Sequence, residues 1–202
     1  MKKIWAVLLT SSTTLLAGCG GGGGSGDAGV PATSPLAAYV GTWQSACDDH
    51  DRQSLVIAFK GDGSGALELT PYGETYFKAD CSGTVVATEN MSAKITGKPD
   101  GAADIQVQLS QNAPASTLRI DKITSSVPAY TFQVTGASVK YVLRLGQQQW
   151  CVDVENGESC IWDQGTQAAQ SIPGGLSLRG NELFTVMQKN GAYVLDMHYV
   201  KK

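Results

Sequence analysis

From Tyr39 onward, hydrophobic and polar residues trade places at a period of two. Leu55, Ile57 and Phe59 alternate with Val56 and Ala58, and Gly61-Asp62-Gly63-Ser64-Gly65 then turns the chain toward Leu67 and Leu69. Ile105, Val107 and Leu109 alternate with Gln106 and Gln108, and Leu118 and Ile120 do so with Arg119 and Asp121. Tyr130, Phe132 and Val134 follow, then Tyr141, Leu143 and Leu145. The last segment places Tyr193, Leu195, Met197 and Tyr199 on one face, with Asp196 and His198 on the other. This spacing marks half-buried antiparallel strands. Turn chemistry recurs at Pro99-Asp100-Gly101, Asn156-Gly157, Pro173-Gly174-Gly175 and Asn190-Gly191. No stretch carries an apolar stripe at helical spacing long enough to compete. The pattern predicts an all-β body, built as an antiparallel barrel or a sandwich.

The first residues follow a different pattern. Lys2 and Lys3 precede an apolar run from Ile4 to Leu9, and small residues end the segment at Ala17-Gly18. That order is an export signal, and the polar stretch Thr10–Thr14 makes it too short for a permanent membrane span. Leu16-Ala17-Gly18-Cys19 resembles the lipobox of bacterial lipoproteins. The resemblance implies that residues 1–18 are a signal peptide cut before Cys19, and that Cys19 is acylated with chains such as palmitate. Several chains on one residue hold a protein stably in its bilayer. In such lipoproteins an Asp after the cysteine favours the inner membrane, so Gly20 points to the cell outer membrane. Residues 19–35, with five glycines at 20–24 followed by Ser, Pro and Ala, read as a flexible tether. A phosphate loop is excluded there, since no Lys-Ser or Lys-Thr pair follows the glycines.

Residues 36–202 remain as the β-rich domain, with a subdivision near 110–117 left open. The whole sequence holds 15 Lys and Arg against 18 Asp and Glu, and loss of Lys2 and Lys3 makes the exported chain more acidic still. That balance argues against nucleic acid as a partner. Beyond Cys19 the cysteines are Cys47, Cys81, Cys151 and Cys160. An even number in an exported chain predicts two disulfides. Three pairings are open, and Cys47–Cys81 with Cys151–Cys160 is the simplest, closing one loop in each half. Zinc is disfavoured, because no C-x2-C spacing exists and the chain has two histidines. The turn at Asn156-Gly157 bears on this pairing. A loop that sets Asp153 opposite Glu158 also sets Cys151 opposite Cys160, whereas a tight Asn-Gly turn would put Cys151 opposite Trp162.

Gly41-Thr42-Trp43 looks like the opening of lipocalin-type and avidin-type barrels, in which the tryptophan closes the barrel floor. The wider set of Gly41, Trp43, Cys47, Tyr76-Phe77 and Cys81-Ser82-Gly83 resembles a pattern in small bacterial envelope lipoproteins. That resemblance covers residues 39 to about 97 and implies a lipocalin-like barrel. A second lipocalin signature is missing, and no arginine is placed to pack over Trp43. The strand-like segments also outnumber those of an eight-stranded barrel. The second half either extends the barrel or forms its own sheet with Trp150, Cys151, Cys160 and Trp162.

Chemistry is sparse. Asp48, Asp49, His50 and Asp51 form the one dense polar cluster, and they are weak candidates for a divalent metal or an acid–base site. Consecutive residues converge on one ion only if their loop curls, and no glycine lies among them. The expectation is a solvated loop. No G-x-S-x-G nucleophile elbow is present, no residue pattern calls for a cofactor, and turnover is not expected. Three classes are carried forward. The first is an anchored, lipocalin-like lipoprotein that binds a small apolar ligand or an envelope partner. The second is a protein-interaction or inhibitor module without a ligand cavity, and the third is an envelope hydrolase or metal enzyme. A hollow barrel favours the first; a filled core with an exposed apolar patch favours the second.

Overall fold

Strand-forming alternation yields thirteen strands among the described residues. The computed structural model describes residues 34–110 and 112–202; Cys19, the leader and nearly all of the tether lie outside them. After a 3-10 turn at Pro35–Tyr39 come β1 (Gly41–Gln44), β2 (Asp51–Phe59), β3 (Leu67–Tyr76), β4 (Val85–Met91) and β5 (Ile95–Val107). Next are β6 (Ser116–Val127), β7 (Phe132–Thr135), β8 (Lys140–Arg144), β9 (Gln147–Val154) and β10 (Gly157–Trp162). The chain ends with β11 (Gln170–Arg179), β12 (Glu182–Lys189) and β13 (Ala192–Lys201).

Ten strands make one sheet in the order β2-β1-β13-β12-β11-β6-β5-β3-β4-β7, and β2 pairs with β3 as well. All these pairings are antiparallel, and they bring the sheet nearly closed into a ring. The ring's pairing is shortest between β1 and β13, with two residue pairs, and short again where β3 meets β5, over Leu67 to Leu69. The other end of β3, from Tyr72 to Tyr76, pairs instead with β4. β4 and β7 therefore branch away from the ring.

Apolar side chains fill the ring: Trp43, Ile57, Leu67, Leu69, Ile123, Leu176, Leu183 and Tyr199 pack together beneath Leu36 and Tyr39. Trp43 is 1% exposed, its Nε1 donates to the Tyr39 carbonyl at 2.7 Å, and the Lys201 ammonium stands 5.3 Å from its ring centre. A lysine from the last strand thus occupies the place for which the sequence offered no arginine. A second core joins Ile105, Val107, Leu118, Ile120, Phe184 and Val186. Neighbouring residues of a strand point to opposite faces. Leu183 in one core and Phe184 in the other therefore put the two cores on opposite faces of β12.

Three sequence expectations change here. Pro99-Asp100-Gly101 does not end a strand; it is a bulge inside β5, where pairing with β6 slips between Pro99 and Ala102. Pro173-Gly174-Gly175 lies within β11. A Cβ on Gly174 would sit 2.5 Å from the Val186 carbonyl oxygen, and one on Gly175 would sit 2.7 Å from Ile120 Cδ1. These glycines serve close strand approach rather than a turn. Finally, Tyr193, Leu195, Met197 and Tyr199 do not share a face. Thr185 pairs with Met197 and Val186 with Leu195, which leaves Asp196 as the extra residue of a bulge. Met197 and Tyr199 serve the ring core, while Tyr193 and Leu195 serve the second.

The second half does both: β11–β13 complete the ring, while β8–β10 form their own sheet in the order β10-β9-β8. Trp150, Val152, Val154 and Ile161 lay one face of it on Val86, Ala87, Val134 and Val139. Both disulfides pair as the simplest scheme predicted, Cys47 with Cys81 and Cys151 with Cys160. Asp153 faces Glu158 and Cys151 faces Cys160 across β9 and β10. The register is the one that the disulfide required. The stretch 110–117 leads from β5 into β6, and these strands pair from Thr96–Ser126 to Val107–Ser116.

Candidate functional site

The acidic cluster is a tight turn that is only half solvated. Asp48 and Asp51 bond to each other through both backbone amides, with Asp49 at φ 46 and His50 at φ 75. The chain thus curls without glycine, because Asp and His tolerate the left-handed region better than most residues. His50 is only 7% exposed. Its Nδ1 donates to the Tyr76 carbonyl at 3.0 Å, and its own N–H donates to Ala79 O at 3.1 Å. Thr75 Oγ1 donates to Asp51 at 2.8 Å. Asp48 and Asp49 are both exposed. The cluster clamps β2 to the end of β3 beside the Cys47–Cys81 bridge, and its side chains diverge from any common ligand. Among the described residues one trio of ligating side chains does converge, Cys151, Glu158 and Cys160. There the two sulfurs are joined in a disulfide.

Among the described residues, the large side chains named above pack the ring interior. A shallow open groove of about 330 Å³ lies where Pro35, Ala38 and Tyr39 meet Arg119, Asp121 and Arg179. At its wall the Tyr39 hydroxyl donates to Asp121 Oδ2 at 2.6 Å and lies 3.0 Å from Leu176 O. Burial and the adjoining carboxylate push this phenol far above its ordinary value. It is a latch between the 3-10 turn and the ring.

Asp196 and His198, which alternation puts on one exposed face, part company. The Asp196 carboxyl is withdrawn from solvent and accepts from Thr185 Oγ1 at 3.1 Å. Burial raises it to about 6. The Tyr199 phenol is also pushed up, by its own burial and then by Asp196. His198 stays outside, stacked on Phe184 at 4.6 Å and 3.0 Å from Glu182.

The peripheral sheet provides the feature that alternation alone misread. Tyr141, Leu143 and Leu145 read as an inward face; instead they run past the body they should cover. Tyr141 is 48% exposed, Leu143 66% and Leu145 95%. Tyr141 stacks on Trp150 at 4.2 Å, and its hydroxyl donates to Asp163. The opposite face is polar: beside the Cys151–Cys160 bridge, Lys140 meets Asp153 at 3.1 Å and Arg144 meets Glu158 at 2.5 Å. Among the described residues no strand pairs with the outer edge of β8. Arg144 pairs with Gln147, so Leu145 and Gly146 alone make the turn, at φ 50 and φ 78. Two left-handed residues form a type I′ turn, which favours Asn, Asp or Gly at its first position. The signal was present in the sequence as Leu-Gly in the place of Asn-Gly.

No protein-family model matches this chain, and no curated protein or solved structure matches it.

Proposed function

We propose that this chain is an outer-membrane lipoprotein, anchored through acylated Cys19, whose β ring carries a docking sheet and which binds an envelope partner without turnover. The supporting observation is the apolar stripe Tyr141–Leu143–Leu145 on an unpaired strand edge, above a ring that is itself filled. An exposed apolar edge invites aggregation unless something covers it. The filled ring takes away the support for an enclosed apolar ligand. An acyl anchor at Cys19 suits docking, because it would keep the domain near its membrane and raise the effective concentration of a partner there.

A photoreactive residue at position 143, introduced in cells, tests the reading. It should form an adduct in the envelope, while the same residue at position 98, exposed on the ring, should not. In a Cys19→Ser chain the adduct should disappear, because an unacylated chain leaves the membrane. Equal labelling at 143 and 98 would defeat the docking reading, and an undiminished adduct in the Cys19→Ser chain would defeat the anchor.

A further inference from the structure

We infer that the partner of this docking sheet is a lipid surface: the tip of the β8–β9 hairpin, Leu143 to Gly146, enters the lipid–water boundary of the membrane that holds Cys19. The inference rests on the docking reading above and names its partner. The backbone carries the first argument. Leu145 occupies a left-handed turn position and is almost wholly exposed. Neither condition favours leucine, so the fold does not explain its presence. Strained residues that structure does not require mark contact sites.

Shape and charge select the lipid surface. A specific protein interface buries about 800 Å² on each partner, and a two-residue turn with one further leucine offers far less. A bilayer demands no complementary shape. From Leu143 to Gln149 the only charge is Arg144, and its guanidinium is drawn back to Glu158 on the opposite face. Lys140 is likewise held by Asp153. The apex is therefore apolar and compensated, on a chain whose excess of acidic over basic residues opposes broad contact with anionic lipids. Two residues behind the apex stands Tyr141, an amphipathic ring of the type enriched at membrane boundaries.

The tip cannot go deep. The open edge of β8 would strand backbone groups in hydrocarbon, so entry stops at the headgroup region. Two leucines hold weakly alone, but the acyl anchor makes their insertion an intramolecular step.

The test uses the full acylated chain in vesicles of phosphatidylethanolamine and phosphatidylglycerol, with an environment-sensitive fluorophore on L145C or, as control, on S64C. At position 145 emission should shift to the blue and be quenched by nitroxides high on the acyl chain more than by deep ones. Position 64, in the Gly61–Gly65 loop, should stay in water. A fluorophore on Q148C, in chains with and without Leu143→Ser and Leu145→Asn, removes the influence of a label at the apex. The two substitutions should lower the inserted population about tenfold or more. If position 145 stays in water on vesicles but is shielded in native envelopes, the lipid partner is refuted and docking to a protein stands. If it stays in water in both, the docking reading falls too.

Discussion

Two hairpins of this chain turn on nearly the same backbone with different residues. Between β12 and β13, Lys189 pairs with Ala192 and the turn is Asn190 at φ 52 with Gly191 at φ 80. Between β8 and β9 it is Leu145 at φ 50 with Gly146 at φ 78. Asparagine reaches the left-handed region at little cost, whereas leucine does so against its Cβ. A third such turn, Asp49-His50, is explained by the bonds that bury His50. The ring hairpins thus carry residues chosen by the fold. The peripheral hairpin carries one that the fold does not choose, at a point almost wholly exposed to solvent.

That contrast depends on the ring being the stable scaffold. Trp43→Ala removes its largest fully buried side chain and should lower global stability by about 3–5 kcal/mol, read from denaturant midpoints. A loss below about 1 kcal/mol would mean that the ring core does not hold the domain together.

The ring also has one residue held against stability, and it is buried rather than displayed. An unfolded aspartate titrates near 3.9, while burial raises Asp196 to about 6. Between those values the folded chain binds more protons than the unfolded one. Stability therefore falls as pH rises from about 4 to about 6 and stays lowered above that window. Asp196→Asn should remove this slope and raise stability at pH 7 by about 2–3 kcal/mol. Thermal unfolding across pH 4–7 reads both effects, and an unchanged slope would show that Asp196 keeps ordinary acidity in the fold.

Period-two alternation foresaw the all-β class because it records which faces are half-buried. The assumed Cys151–Cys160 bridge, not alternation, selected the register that sets these two residues opposite each other. Alternation failed where a strand changes partners or faces along its length. The bulge at Asp196 redirects Leu195 from one core to another, and nothing in the composition of residues 193–199 marks the extra residue. Gly174 and Gly175 looked like a turn because a turn and a close strand crossing both require a missing Cβ. The exposed stripe was hidden for a related reason. Alternation says that Tyr141, Leu143 and Leu145 share a face, but not whether the body beneath extends far enough to cover it.

Exchanging the turn residues sharpens the comparison of the hairpins. Asn190→Leu should destabilise the domain by about 1–2 kcal/mol, since it imposes on the ring hairpin the conformation that leucine resists. The reverse change at the peripheral hairpin has the smallest effect and the opposite sign. Thermal unfolding of Leu145→Asn beside the native chain tests most directly whether Leu145 is kept for contact rather than for folding. A gain of about 0.5–1 kcal/mol is predicted, or about 1–4 °C for a domain of this size. A clear loss of stability would contradict the account, because Leu145 would then be holding the fold together.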